Sequence, residues 1–384
     1  MKISHVRTTV VTVPFTRPEV WARGARPCVT NVILEIETDE GLTGLGECGG
    51  GETAAAAIQR LSPYLLGFDP FAIEQLRQRI GVTSPNLFAA IEMAFLDLQG
   101  QALGQPLYQL LGGAVHPQVP FMYYLLRDEP AAMANEATAA IAAGFDTLYV
   151  KLGIHLEQDL EVVRTVREAI GPQAQLRIDP NESWTIGTAA RWFRRLEQFD
   201  LELAEDPIPH QDFAGVRKLR ASTSIPIGAQ EGCHTLADIM TVIKEDAADI
   251  ILIDHHRNGG LSGMKRAAAL AEAAGLPVYK HSGGELGIST AAAVHGLATI
   301  PNNLLANQTY YQFLGGDVVT EKVDTFRAGC LSPTDRPGLG VTIDREKLTH
   351  FHEVYQRGEV IDGSYRREAL RQEVPEENLY YPRF

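Results

Sequence analysis

The sequence predicts an α/β fold, a (β/α)₈-type barrel with an α+β amino-terminal capping domain that the carboxyl-terminal tail completes. From about Val119 to Gln308, short apolar runs alternate with amphipathic helical stretches, which is typical of βαβ units and a parallel sheet. Six of these runs end in a lone polar residue, and these residues lie 23 to 28 positions apart. That spacing is the length of one strand, one helix and their loops, as in a TIM-like barrel.

The first 50 residues predict an antiparallel meander. The apolar and polar alternation of ISHVRTTVVTVPF and NVILEIETDEG indicates strands, DEG supplies a hairpin turn, and the polar stretch TRPEVWARGARP between the strands indicates a loop. Helical periodicity follows and ends at Gly112 and Gly113. Strands followed by helices indicate an α+β capping domain over residues 1–117.

The barrel is predicted for residues 118–317. Its eight strands are VPFMYY, TLYVK, QLRID, LELAE, PIGAQ, DIILID, PVYKH and NLLANQ. The remaining segment, 318–384, has few such repeats but contains RPGLGVTID and a helical stretch near Arg345 to Tyr355. We therefore expect this segment to pack back on the capping domain.

Composition excludes several classes of protein. A net charge of −14 without a lysine or arginine cluster argues against nucleic-acid binding. No apolar run approaches the roughly 18 to 20 residues of a membrane span. The four cysteines are scattered, and the amino terminus lacks the pattern of a signal peptide. These features predict a cytoplasmic protein with neither a nucleic acid nor a membrane as partner.

The six polar residues at strand ends are expected to form one ring, because the carboxyl ends of barrel strands surround a common mouth. They are Lys151, Asp179, Glu205, Glu231, Asp254 and His281. The three consecutive carboxylates in this set raise one another's pKa when they are close together. A hard divalent cation relieves that repulsion, and all-oxygen ligation favours Mg²⁺. Pairing of a carboxylate with a basic side chain is the alternative for any one of them.

Proton-transfer groups lie on both sides of these carboxylates. Lys151 ends the strand before the first carboxylate, and a neighbouring cation lowers the pKa of a lysine. Asp254 and His281 end adjacent strands, where an aspartate can fix the tautomer of an imidazole. This arrangement suits removal of a proton next to a carboxylate, with stabilisation of the resulting enediolate. Alternatively, Lys151 is a surface lysine and His281 a core histidine.

Several motifs resemble those of the enolase superfamily, over nearly the whole chain. They are AIEMAFLDLQGQALGQPLYQLLGG, IDPNESW, AEDPI, NGGL, AALAEAAGLPV and PGLGV. The Asp254 and His281 pair, with KHSGGELGIS, is similar to the mandelate-racemase and glucarate-dehydratase groups. The resemblance implies a Mg²⁺-dependent acid-sugar dehydratase in which Lys151 and His281 are the acid and base and Asp254 orients His281. It also implies a homo-oligomer. A racemase, an epimerase or a lactone cycloisomerase with the same bases is the alternative, and a non-catalytic barrel scaffold is a further one.

Two positions depart from the pattern of that superfamily. Tyr149 occupies the place of the first lysine in the usual Lys-x-Lys motif. The third metal ligand is either Gln230 or Glu231, depending on the alignment, and charge favours Glu231.

Further residues are candidates for substrate binding. Near the ring they are Asn181, Gln230, Glu285 and Tyr149, with His255 or His256 as additional candidates, of which we expect only one to reach the pocket because they are adjacent. The resemblance implies that loops 16–28 and 47–53 of the capping domain cover the barrel mouth. Arg23, Arg26 or Trp21 would then contact the distal end of the substrate, where an arginine offers a bidentate grip on a carboxylate.

Overall fold

The computed structural model describes residues 1–81, 84–323 and 325–358. The strands are β1 Ile3–Trp21, β2 Gly24–Thr38, β3 Thr43–Gly49, β4 Val119–Pro120, β5 Tyr123–Leu125, β6 Thr147–Lys151, β7 Gln175–Asp179, β8 Leu203–Glu205, β9 Ile227–Ala229, β10 Ile250–Ile253, β11 Val278–Lys280 and β12 Cys330–Leu331. The helices are α1 Gly51–Leu65, α2 Ile73–Ile80, α3 Pro85–Leu103, α4 Leu107–Leu110, α5 Pro130–Ala142, α6 Leu156–Ile170, α7 Ile186–Leu196, α8 Phe213–Arg220, α9 Leu236–Lys244, α10 Gly260–Ala273, α11 Gly287–Leu297 and α12 Arg345–Arg357.

The amino-terminal sheet is antiparallel, in the order β1-β2-β3. The prediction of a loop over residues 16–28 is wrong, because β1 and β2 continue through it as a long hairpin that closes at the pair Trp21 and Gly24. Polar residues suggested a loop, but Glu19 is buried in this hairpin and faces Arg26 across the strands. The second predicted loop is also mostly regular, since Glu47 lies within β3 and α1 begins at Gly51.

The parallel strands form a curled sheet in the order β11-β10-β9-β8-β7-β6-β5, consistent with a TIM-like barrel. The predicted eighth strand is replaced by single parallel bridges, from Asn303 to Val278 and from Asn307 to Phe121. The side chain of Asn307 donates to the carbonyl of Pro120 (3.0 Å) and accepts from the amide of Lys280 (2.7 Å). The side chain of Asn307 thus links the edge strand β11 to β4, which precedes the other edge strand β5, where a regular ladder is missing.

One layer of side chains fills the sheet interior immediately below the strand ends. Tyr149 reaches Asp179, the guanidinium of Arg177 lies 4.6 Å from the ring of Tyr279, and a Cβ added to Gly228 would meet Leu203 and Leu252. Side chains alternate along a strand, so the residue two positions after each member of this layer points the same way. The residues two positions after Tyr149, Arg177, Leu203, Gly228, Leu252 and Tyr279 are, in that order, Lys151, Asp179, Glu205, Gln230, Asp254 and His281.

The carboxyl-terminal segment contacts the amino-terminal sheet. Helix α12 packs against β1, Arg345 donates to the buried Glu35 (2.8 Å), and the ring of His352 lies 2.7 Å from the carbonyl oxygen of Val10. Residues 359–384 of the predicted segment lie outside the described residues. In the part of the chain that the structure describes, no helix has the length and apolar character needed to cross a membrane.

Two carboxylates of the capping domain accept hydrogen bonds from the first turns of barrel helices. At the start of α11, Glu47 accepts from the amides of Leu286 (2.6 Å) and Ser289 (2.9 Å). At the start of α10, Glu92 accepts from the amide of Ser262 (3.2 Å). The first amides of a helix have no partner within it, and its dipole favours negative charge there. Both carboxylates are fully buried, so these bonds fix the capping domain on the barrel.

Replacing Glu47 by alanine is expected to lower the free energy of unfolding by about 2–4 kcal/mol, because buried N–H donors lose their acceptor. The donors are Leu286, Ser289 and the side chain of Asn31 (2.8 Å). The midpoint of urea denaturation measures the change. The exposed Glu272→Ala on α10 is the matched control and should shift that midpoint only slightly. Equal midpoints for the two variants would show that the bonds of Glu47 contribute little.

Candidate active site

Lys151 and Tyr149 both bind Asp179. The ammonium group of Lys151 and the phenol of Tyr149 each lie 2.5 Å from the same carboxylate oxygen. Burial alone lowers the pKa of Lys151, but the charges of Asp179, Glu205 and Glu19 outweigh burial and raise it. Without a metal ion, Lys151 is therefore a protonated counter-ion. Tyr149, in the place of the first lysine of the Lys-x-Lys motif, adds a neutral donor to Asp179 instead of a positive charge.

Glu205 has an oxygen with no hydrogen-bond partner. One carboxylate oxygen accepts from Tyr279 (2.8 Å), while the other is buried without a partner among the described residues. Burial and the charge of Asp179 raise the pKa of Glu205 to about 8. The side-chain oxygen of Asn181 is also buried without a described partner, beside Asp179. Such oxygens are donors that a hard cation prefers, so the chemistry of this pair of carboxylates fits Mg²⁺.

Two residues are candidates for the third ligand position, Gln230 and Glu231. Gln230 is in the inward register and is buried, and its amide oxygen accepts from Arg257 (3.1 Å) when the amide is oriented to satisfy both groups. Glu231 accepts from Arg257 (3.2 Å) and lies 3.7 Å from His234. Burial raises the pKa of Glu231, but His234 and Arg257 hold it well below its usual range.

Glu231 is thus paired with basic side chains, which is the alternative that the sequence offers to metal binding for any one carboxylate. Within residues 1–81, 84–323 and 325–358, no group of three or more His, Cys, Asp or Glu is arranged to hold a metal ion. The three predicted carboxylates are near one another, since Asp179 and Glu231 both raise the pKa of Glu205. They do not converge on one point while Glu231 contacts Arg257.

Asp254 and His281 form a dyad. His281 Nδ1 lies 3.0 Å from one oxygen of Asp254, and the other oxygen accepts from the amide of His256 (2.7 Å). Burial and the charge of Arg257 lower the pKa of His281 despite its aspartate partner. Burial raises the pKa of Asp254, but His281 and Lys280 bring it well below its usual range. A neutral imidazole that donates from Nδ1 has Nε2 as its basic nitrogen.

The arginines predicted to bind the substrate are engaged with protein carboxylates. Arg23 donates to Glu182, and Arg26 donates to Glu19 (2.7 Å) and to the carbonyl of Gly283 (3.0 Å). The Arg23 ion pair and the bond from Arg26 to Gly283 therefore hold the capping hairpin on the barrel, while the pair of Arg26 and Glu19 lies within the hairpin. Trp21 is the last residue of β1 at the end of this hairpin and is partly exposed.

Two other candidates are engaged within the barrel. Glu285 forms a buried ion pair with Lys280 (2.9 Å) and accepts from Ser282, which fixes the loop after β11. His255 and His256 both place Nε2 2.7 Å from the hydroxyl of Ser289. The loop after β10 brings both rings to one side, but only His256 lines the cavity beside Asp254, in agreement with the expectation that one of the two reaches the pocket.

Sequence reasoning missed two residues near the ring. Glu19 is 2% exposed and accepts from the phenols of Tyr124 and Tyr310 (2.6 Å each), and its charge contributes to the raised pKa of Lys151. Nothing local in TRPEVW reveals this, because the partners lie more than 100 residues away. Arg257, three residues after Asp254, contacts Glu231 and His234. Its position in the loop after a barrel strand was the available signal.

Two family descriptions match most of the chain. Residues 5–112 match the mandelate racemase / muconate lactonizing enzyme N-terminal domain, and residues 132–347 match the enolase C-terminal domain-like family. The structure is similar to that of an enolase from Thermobispora bispora complexed with magnesium and formate. The TM-score is 0.93 at 30% identity, and the match covers 100% of both chains.

Relatives with different activities are similar to this chain. It is 33% identical over 287 residues to a hydrophobic dipeptide epimerase of Enterococcus faecalis, which covers 72% of this chain and 81% of that protein. It is 30% identical over 367 residues to a chloromuconate cycloisomerase of a Pseudomonas species, covering 91% and 99%. It is also 30% identical over 373 residues to a probable glucarate dehydratase of Streptomyces coelicolor, covering 85% of each.

Proposed function

We propose that this chain, which belongs to the mandelate racemase / muconate lactonizing enzyme family of the enolase superfamily, removes the proton alpha to the carboxylate of a small substrate. The preferred reaction is elimination of water from an acid sugar, which gives a 2-keto-3-deoxy acid. The observation that carries the proposal is the Asp254 and His281 dyad, separated from Lys151 by β9 and by the two strands that carry Asp179 and Glu205.

Each residue has a separate part in this proposal. Lys151 and His281 transfer protons, one taking the alpha proton and the other delivering a proton to the departing hydroxyl. Asp254 holds the imidazole in the tautomer whose Nε2 is basic. Asp179 and Glu205, with Glu231 or Gln230, would hold Mg²⁺. When bound, the ion supplies positive charge for a carboxylate that gains negative charge as the alpha proton leaves.

Epimerisation is the second candidate, and the same pair of bases favours it. Two proton-transfer groups on different strands can remove a proton from one face of a carbon and return it to the other. The similarity to a dipeptide epimerase supports epimerisation, and the similarity to a chloromuconate cycloisomerase supports cycloisomerisation at the same site. Dehydration stays preferred because KHSGGELGIS and the Asp and His pair resemble the glucarate-dehydratase group.

Incubation with Mg²⁺ in D₂O tests the proposal, against a panel of acid sugars, hydroxy acids, amino acids and dipeptides. We expect deuterium at the alpha carbon of at least one compound and a 2-keto product from an acid sugar. Deuterium with inversion and no 2-keto product would select the epimerase. Binding without exchange or turnover would favour a scaffold, and full activity in excess EDTA would contradict the metal assignment.

A further inference from the structure

Two tyrosines in the layer below the strand ends donate to the carboxylates above them. The phenol of Tyr149 donates to Asp179 (2.5 Å), and the phenol of Tyr279 donates to Glu205 (2.8 Å). Both tyrosines are fully buried in the interior of the curled sheet. The part that each phenol plays follows from the carboxylate oxygen that it contacts.

Tyr279 reaches Glu205 across the interior of the sheet. Tyr279 is on β11 and Glu205 ends β8, and two strands, β9 and β10, lie between them. The guanidinium of the buried Arg177 lies 4.6 Å from the centre of the Tyr279 aromatic ring. Arg177 in turn donates to Glu202 and to the carbonyl of Ala306 (2.6 Å). These contacts fix the aromatic ring, so the hydroxyl is held against one oxygen of Glu205.

The two oxygens of Glu205 therefore differ. One accepts from Tyr279, and the other is buried without a partner among the described residues. Within residues 1–81, 84–323 and 325–358, the hydroxyl of Tyr279 has no second acceptor. A cation that displaced this hydroxyl from its oxygen would leave a buried donor unpaired, which is costly. One oxygen of Glu205 is thus available to a cation, and the other is reserved by Tyr279.

Asp179 does not depend on a single phenol in this way. Lys151 and Tyr149 share one of its oxygens (2.5 Å each), and its other oxygen accepts from the amide of Asn181 (2.6 Å). Removal of the Tyr149 hydroxyl alone leaves the ammonium group of Lys151 at the shared oxygen. Glu205 is therefore the carboxylate whose second oxygen is controlled by one tyrosine.

Mg²⁺ and Ca²⁺ differ in how they use a carboxylate. Mg²⁺ requires near-octahedral geometry at about 2.0–2.1 Å, whereas Ca²⁺ takes roughly 6 to 8 oxygens and accepts both from one carboxylate. We propose that Tyr279 is a positioning residue that reserves one oxygen of Glu205 for the cation and thereby makes the site prefer Mg²⁺ to Ca²⁺. The inference rests on the metal site of the proposed function, but it requires neither a particular substrate nor a particular reaction.

Calorimetric titration of the EDTA-treated, full-length protein with MgCl₂ and with CaCl₂, without substrate, measures the ratio of the two dissociation constants. We expect the parent protein to bind Mg²⁺ more tightly. In Tyr279→Phe, which keeps the aromatic ring and removes the hydroxyl, this preference should fall by about 5- to 100-fold, the range that corresponds to one buried hydrogen bond. Tyr149→Phe is the matched control and should keep the ratio of the parent, because Lys151 still occupies the shared oxygen of Asp179.

The ratio separates this role from a general structural one. A change in folding or in the charge of Glu205 alters the affinity for both ions together and leaves their ratio unchanged. A parent without a preference for Mg²⁺, an unchanged ratio in Tyr279→Phe, or an equal fall in Tyr149→Phe would overturn the inference and leave the proposed reaction intact. If Glu205→Gln bound Mg²⁺ as tightly as the parent, the inference and the metal assignment of the proposed function would fall together.

Discussion

Replacement of His281 by asparagine is expected to lower kcat/KM for product formation by about 10²- to 10⁴-fold, the usual contribution of a positioned acid or base. Asparagine keeps a polar group near Asp254 but has no nitrogen that titrates near neutral pH. Because the pKa of His281 is lowered, the neutral imidazole is available as a base over most of the physiological range. Steady-state rates over pH 5 to 9 measure the change.

Lys151→Ala gives the complementary result. If Lys151 and His281 address different faces of the alpha carbon, one variant should lose exchange of the alpha proton with D₂O, and the other should keep exchange while losing product. His350→Asn, on the exposed side of α12, is a matched control for loss of an imidazole. Full activity of both Lys151→Ala and His281→Asn would reject the two-base mechanism.

The periodic part of the fold was predictable because each repeat is local. One strand and one helix are encoded within 23 to 28 residues, so the pattern from Thr147 to Lys280 is visible without tertiary information. The hairpin over residues 16–28 was not predictable. Glu19 is buried and Arg23 partly buried because Tyr310 meets Glu19 and Arg23 meets Glu182, contacts that span more than 100 positions of sequence.

The same distinction applies to the site. The side chains of Lys151, Asp179 and Glu205 lie at strand ends, as the sequence predicts. Near β9, a difference of one residue exchanges the two faces of a strand. Charge favours Glu231, while alternation from Gly228 places Gln230 inward. The identity of the third metal ligand stays a prediction. Measuring Mg²⁺ affinity in Gln230→Ala and in Glu231→Ala tests it, because loss of the true ligand should weaken binding more.

Glu205→Gln is expected to stabilise the metal-free protein and to abolish its response to Mg²⁺. Burial and Asp179 raise the pKa of Glu205 from 4.5 to about 8. Between these values the folded chain retains a proton that the unfolded chain has lost, so stability falls as pH rises and the loss is complete above about pH 8. A glutamine carries no charge, so it removes this pH dependence and still accepts from Tyr279.

The size of the effect follows from the same linkage. At pH 8 to 9 and without metal, the free energy of unfolding of Glu205→Gln should be about 1–4 kcal/mol larger than that of the parent protein. Mg²⁺ at 100 times its dissociation constant should add about 2.7 kcal/mol to the parent and nothing comparable to the variant. Thermal unfolding midpoints with EDTA and with Mg²⁺, at pH 5 and pH 8.5, measure both quantities.

The two halves of this prediction depend on different features of Glu205. Stabilisation of the metal-free variant follows from removal of a carboxylate that is buried next to Asp179, whereas loss of the Mg²⁺ response follows from loss of a ligand. Glu272→Gln, an exposed change on α10, should alter neither quantity. If Glu205→Gln were stabilised but still responded to Mg²⁺ like the parent, the ion would lie elsewhere. If it were destabilised at pH 8.5, the carboxylate of Glu205 would be held by a cation already present, and Lys151 beside Asp179 is the nearest candidate for that role.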